Sequence, residues 1–174
     1  VNMDSGAPNE IELTAPAGFA VINPLSTLVQ EMSDLFGGDA EAAEAALIQS
    51  LGISAEGGLG SYDPQSDDNV ANRVVATQIA TVLAVASAAD SDGANTETVA
   101  LSSLANIISS SDGAVALDSS TINSVLSDVV DADQLATISE AVDAREDVKD
   151  SDDADAAFAA IVQAQAKAID AVAP

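Results

Sequence analysis

The chain contains no histidine, cysteine or tryptophan, and only one tyrosine and three phenylalanines. Without histidine and cysteine, Ser–His–Asp and Cys–His nucleophiles, disulfides and zinc–thiolate sites are excluded. The Gly57-Gly58-Leu59-Gly60 run lacks the lysine of a phosphate-binding loop. A carboxylate pair acting on a glycoside stays formally open, but sugar sites usually rest on aromatic side chains. The residue types therefore predict a protein that is not an enzyme.

Basic residues are also scarce, with four Lys and Arg against 29 Asp and Glu, for a formal net charge of -25. Nucleic acids and anionic membrane surfaces repel such a chain, so we predict neither as a partner. Self-repulsion falls at about 0.5 M salt and above, where charges are screened within a few ångströms. The composition thus predicts a protein of a marine or hypersaline setting.

No run approaches the roughly 18 apolar residues of a membrane span, and no basic-then-apolar leader opens the chain. Residues 1–10 are polar and turn-rich, which predicts a linker that begins inside a longer precursor. Hydrophobic residues make up 48% of the chain, enough for a core of Ala, Val, Leu and Ile. Residues 11–174 are accordingly predicted to form a single helical domain.

Two short apolar runs, Ile11–Thr14 and Phe19–Ile22, flank the sequence Pro16-Ala17-Gly18. Apolar runs around a Pro-x-Gly are typical of a tight turn between strands, so a small β-hairpin is predicted for residues 11–23.

From residue 24 to 172 the pattern is helical. Asn23 is a good N-cap, and Pro24 is favoured at the first helical position. Asp39 caps the next helix, and later helices begin near Asp67, Thr96, Asp118, Asp131 and Asp152. Apolar residues at helical spacing predict inward faces: Leu25, Leu28, Val29, Met32, Leu35 and Phe36 in the first helix; Ala43, Leu47 and Leu51 in the second; and Val75, Ile79, Val82, Leu83 and Ala86 in the third, where Val74 and Val85 widen the face. The predicted fold is an all-α bundle or array of about seven short helices with the N-terminal hairpin.

Three inter-helix loops are rich in acidic residues, and calcium is the one cofactor that such oxygen ligands suggest. The candidate calcium ligands are Asp63, Asp67, Asp68, Asp90, Asp92, Asp150, Asp152 and Asp153. The second of these loops, which holds Asp90 and Asp92, lacks EF-hand spacing: with Gly93 at the sixth position, the first would be Ala88 and the twelfth Val99. The alternative is that these acids cap helices or favour their N-termini. Both interpretations stay open at this point.

The segment Thr14–Val29 (TAPAGFAVINPLSTLV) resembles the pattern APAG-x-x-V-x-x-PL-x-T-L-V of helical modules in very large secreted bacterial proteins. These are calcium-associated, RTX-like or adhesin-like surface proteins of aquatic bacteria. The resemblance covers roughly residues 11–90, including Tyr62-Asp63-Pro64 and the long apolar helix that follows. It implies an extracellular module of a multidomain surface protein and supplies no catalytic residues.

Three functions follow as hypotheses. The first is a structural or interaction module that contacts neighbouring domains of the same protein or another surface protein. The second is a self-assembling subunit of an extracellular filament or layer, whose apolar N-terminal run adds to a neighbouring sheet. The third is a carrier of a small ligand in a cavity between helices. A separate measurement tests each hypothesis. The length of the parent polypeptide tests the module, light scattering in calcium tests self-assembly, and retention of a ligand in native mass spectrometry tests the carrier.

Thermal unfolding in different salts separates general screening from a calcium site. We expect the melting temperature to rise with NaCl, because salt screens the self-repulsion of the acids. A calcium site adds a further rise in CaCl₂ over MgCl₂ at matched ionic strength, following the logarithm of calcium concentration over its Kd. A melting temperature that is unchanged or falls with NaCl would contradict the screening argument.

Overall fold

A computed structural model describes residues 12–55, 57–63, 70–89, 95–111, 113–146, 159, 163, 165–170 and 172. Within them lie six α-helices and one 3-10 helix: α1 (Pro24–Leu35), α2 (Ala40–Leu51), the 3-10 helix (Leu59–Ser61), α3 (Val70–Ala88), α4 (Thr96–Ser110), α5 (Ser119–Leu126) and α6 (Ala132–Glu146). The described residues of the last predicted helix, from 159 to 172, are also helical. No strand occurs in these ranges, so the all-α prediction is confirmed. The predicted linker, residues 1–10, lies outside them.

The backbone groups into two compact units. The N-terminal unit consists of Glu12–Ile79 and Leu101–Ala116, and the C-terminal unit includes the described residues of Ala80–Ala100 and Leu117–Pro174. The single domain predicted for residues 11–174 stays a prediction. No helix of the described ranges is both long and apolar enough to cross a membrane.

The hairpin predicted for residues 11–23 is wrong for the described residues 12–23, which contain no strand. The predicted turn itself is present. The amide of Phe19 donates to the carbonyl oxygen of Pro16 at 3.1 Å, and Gly18 has a φ of +98°. Such a φ is easy for glycine and costly for other residues, which explains why Gly18 follows Pro-Ala here.

The two runs beside this turn do not pair because each has another partner. Both backbone groups of Thr14 bond to side chains in the first turn of α1, one of them the hydroxyl of Thr27 at 3.0 Å. The amides of Ala20 and Val21 donate instead to the carbonyl oxygen of Gly60, at 2.7 and 3.3 Å. The predicted hairpin is replaced by an extended segment fixed to α1 and to the 3-10 helix.

In the N-terminal unit α1 packs against α2. The inward face of α1 is confirmed over its first three turns, where Leu25, Leu28, Val29 and Met32 are fully buried. The prediction is wrong at the end of the helix: Leu35 is 51% exposed, and Phe36 is the half-buried C-cap. The predicted face of α2, Ala43, Leu47 and Leu51, is buried.

The buried face of α3 differs from the predicted one at Val75. Val74, which the pattern predicted to widen the face, is buried, and Val75 is only half-buried. Adjacent residues point about 100° apart around a helix, so tertiary packing decides which of the two valines is buried. The remaining predicted positions are confirmed as buried: Ile79, Val82, Leu83, Val85 and Ala86.

Two leucines of α1 allow a matched test of this packing. Leu28→Ala should lower the free energy of unfolding by about 2–5 kcal/mol, because it removes a fully buried side chain and leaves a cavity. Leu35→Ala, the same substitution at an exposed position, should change it by less than about 0.5 kcal/mol. Urea unfolding followed by circular dichroism measures both. Equal losses in the two variants would show that the face of α1 is assigned wrongly.

Candidate functional site

Only one of the eight candidate calcium ligands, Asp63, lies in the described part of the chain, where it is exposed. The other seven lie outside it: Asp67, Asp68, Asp90, Asp92, Asp150, Asp152 and Asp153. Among the described residues, no group of three or more acidic side chains is arranged to hold a metal ion. The described residues therefore do not test these candidates as a group, and the calcium site stays a prediction.

Three described acids bind the first turns of helices, at the positions where the sequence predicted those helices to begin. Asp39 accepts from the amide of Ala42 at 3.0 Å, and Asp118 accepts from the amide of Thr121 at 2.8 Å. Asp131 accepts from two amides at the start of α6, at 3.0 and 2.9 Å. Each carboxylate satisfies a helix N–H that has no partner within the helix, and its charge is favourable there.

Thr96 differs from this pattern. Its hydroxyl donates to the carbonyl oxygen of Ala86 at 2.5 Å, so the predicted cap residue connects the end of α3 to the start of α4. Asn95 precedes the helix with a φ of 54°, and its carbonyl oxygen accepts the first helical bond from Val99 at 3.1 Å. A positive φ is tolerated by asparagine better than by most residues.

Three hydrogen-bonded residues of the N-terminal unit form a cluster that we call the Thr14 clamp: Thr14, Ser26 and Thr27. The amide of Thr14 donates to Thr27 Oγ1 at 3.0 Å. Its carbonyl oxygen lies 3.1 Å from Ser26 Oγ and 3.0 Å from Thr27 Oγ1. Ser26 and Thr27 are 0% and 1% exposed. Two buried hydroxyls thus give an extended segment the bonds that a neighbouring strand would otherwise supply.

Asn23 connects the clamp to the loop that contains the 3-10 helix. Its side-chain oxygen accepts from the amide of Ser26 at 2.9 Å, and the hydroxyl of Ser26 accepts from the amide of Asn23 at 2.8 Å. The side-chain nitrogen of Asn23 donates to the carbonyl oxygen of Tyr62 at 2.9 Å. The side-chain oxygen of Asn23 caps the helix while its nitrogen donates to the loop, whereas an ionised Asp at this position would have no proton to donate.

The glycine-rich loop serves close packing. The carboxylate of Glu44 on α2 accepts from the amide of Leu59. A Cβ atom at Gly58 would lie 2.6 Å from Glu44 Oε1, and one at Gly60 would lie 3.2 Å from the ring of Phe19. Glycine therefore lets the loop approach α2 on one side and the N-terminal segment on the other.

The buried polar side chains of the described residues carry no charge: Asn23, Ser26, Thr27, Ser33, Ser50, Asn72, Gln78, Thr81, Thr96 and Gln165. Many of them bond to the backbone. Asn72, for example, donates to the carbonyl oxygen of Ser54 at 2.7 Å and accepts from its amide at 3.1 Å. Neutral amides and hydroxyls used in this way hold loops in place. They provide no buried general acid or base.

A substitution at Thr27 tests the clamp. Thr27→Val keeps the shape of the side chain but removes the hydroxyl that accepts from the Thr14 amide in a part-buried hydrogen bond, so we expect a loss of about 0.5–1.5 kcal/mol in the free energy of unfolding. Thr137→Val is the control, because that hydroxyl donates at 3.3 Å to a backbone carbonyl of α6 in an exposed position. The control should change stability by less than about 0.5 kcal/mol. A Thr27→Val variant as stable as the control would rule out an energetic role for the clamp.

No protein-family model, no curated protein and no solved structure matches this chain.

Proposed function

We propose that this chain is a non-enzymatic structural or interaction module of a large bacterial surface protein of the adhesin-like kind. The observation that carries the proposal is the Thr14 clamp together with Asn23. Buried neutral side chains are used there to fix the segment before α1 and the loop after α2. Such neutral hydrogen bonds suit a scaffold, because they hold these two segments in fixed positions beside α1.

A module that spaces or displays its neighbours needs a fixed geometry where the chain joins it. Because Thr14 is bonded on both its amide and its carbonyl side, the chain enters the N-terminal unit at a fixed position beside the N-terminus of α1. The proposed partners are accordingly neighbouring domains of the same protein or another surface protein.

The surface chemistry supports a saline, extracellular location. The net charge is -25, and no charged side chain of the described residues is buried. The self-repulsion of such a surface is tolerated best where salt is high. Calcium, bound at the acidic loops, is the stabilising ion that we propose for this environment.

The structure removes the sequence argument for the alternative, a self-assembling filament subunit. That hypothesis relied on strand addition by the apolar N-terminal run. The amides of Ala20 and Val21, which would have to pair with a neighbour, already donate to Gly60 within the chain.

Protease treatment of intact cells tests the proposed location and context together. An antibody against the 174-residue chain should detect a polypeptide far larger than 17.3 kDa that disappears when protease is added outside unbroken cells. An immunoblot of fractions, with a cytoplasmic enzyme as the protection control, measures this. A band near the mass of the chain that resists protease until lysis would overturn the proposal.

A further inference from the structure

The turn between α1 and α2 presents apolar side chains to solvent. We call residues 34–39 the α1–α2 tip, and all six of them lie in the described ranges. Leu35 is 51% exposed, and Phe36 beside it is half-buried. Two other large apolar side chains of the described residues are exposed, Ile22 and Val99, but neither adjoins an aromatic residue in the sequence. The tip thus combines an exposed leucine with one of the three phenylalanines of the chain.

Backbone hydrogen bonds hold this turn in one conformation. The amide of Phe36 donates to the carbonyl oxygens of Met32 and Ser33, both at 3.1 Å, and the amide of Gly38 donates to that of Ser33 at 2.8 Å. Gly37 and Gly38 have φ values of +70° and +90°, which glycine adopts more readily than other residues. A Cβ atom at either glycine would meet no atom within 4 Å, so the space beside Phe36 is open. A partner can therefore bind without reordering this backbone.

The charges of the tip select the kind of partner. Asp34 and Asp39 are exposed at its two ends, and Glu41 is exposed in the first turn of α2. Residues 31–44 include five Asp and Glu and no Lys or Arg. These carboxylates attract cationic groups. A second copy of this chain carries the same net charge of -25 and would be repelled.

We propose that the α1–α2 tip docks a basic partner segment in which an apolar side chain is flanked by Lys or Arg. The apolar side chain packs on Leu35 and Phe36, and the cationic groups pair with Asp34 and Asp39. This inference rests on the proposed function, because it names the kind of partner that an interaction module of this charge takes. Salt weakens the charge pairs but not the apolar contact. The tip is small, so we expect a Kd in the micromolar to millimolar range.

Amide NMR titration of the full chain tests the tip. The probe is the blocked pentapeptide Arg-Leu-Arg-Leu-Arg. One comparison peptide replaces its leucines by serine, and the other replaces its arginines by glutamine. We expect saturable shifts of the amides of residues 34–39 with the probe, and binding of each comparison peptide that is weaker by about fivefold or more. Shifts spread evenly over the exposed acids, or equal binding of the serine peptide, would overturn the proposal.

Two variants with matched substitutions assign the apolar contact. Leu35→Ala, which should hardly change stability, should weaken the probe by about fivefold or more. Ile22→Ala also shortens an apolar side chain, 61% exposed, but it precedes the other end of α1, about 18 Å from Leu35 by the rise of the helix. Its affinity for the probe should be unchanged. Equal losses in the two variants, or no loss in Leu35→Ala, would contradict docking at the tip.

A second pair of variants assigns the charge contact. Asp34→Asn should weaken the probe by about two- to fivefold and leave the binding of the glutamine peptide unchanged. Asp128→Asn is the control, because it makes the same change in net charge at an exposed position after α5. Equal weakening by both variants would show that only the general charge of the chain attracts the probe, and the proposal would fail.

Dilution of the chain without a peptide tests a second copy as the occupant. Shifts of the tip amides that change with the concentration of the chain would overturn the choice of a basic partner. The titration of the unaltered chain decides the question even if a variant fails to fold. An absence of probe binding would leave the surface location untouched, since protease treatment of cells measures that independently.

Discussion

Both backbone groups of Thr14 are bonded by hydroxyls of the first turn of α1, and the organisation of the N-terminal unit depends on this contact. With the segment before α1 fixed, Asn23 is placed where it caps the helix and also reaches the carbonyl of Tyr62. The same loop then lies close enough for Gly60 to accept from the N-terminal segment. A small set of side-chain hydrogen bonds thus replaces the sheet that the apolar pattern predicted.

This arrangement suits a chain with few aromatic residues and a large negative charge. Small aliphatic side chains bury less surface each than aromatic rings do, so the loops cannot rely on large anchors alone. Charged side chains could not take their place without a cost for burial. Neutral amides and hydroxyls can fix the loops without aromatic rings and without burying a charge. The described acids Asp39, Asp118 and Asp131 bind the exposed first turns of helices instead.

The sequence predicted the helices well because their signals are local. Asn23-Pro24 marked the start of α1, Asp39 marked the start of α2, and periodicity identified their inward faces. The N-terminal segment was mispredicted because alternating apolar residues suit both a hairpin and an extended chain bonded to something else. The partners of Thr14 lie 12 and 13 residues away, and no local pattern specifies them.

For the clamp a signal did exist: Ser26 and Thr27 directly follow Asn-Pro-Leu, where hydroxyls can face the segment that precedes the helix. Two adjacent hydroxyl residues in the first turn of an apolar helix can therefore predict hydrogen bonds to the segment that precedes the helix.

Hydrogen exchange at the amide of Thr14 tests the central claim most directly. If Thr27 binds this amide as the structure shows, it should exchange slowly although the residue lies in no helix or strand. The amide of Ala17, in the exposed turn of the same segment, should exchange rapidly and serves as the internal reference. Exchange of Thr14 as fast as that of Ala17 would contradict the account.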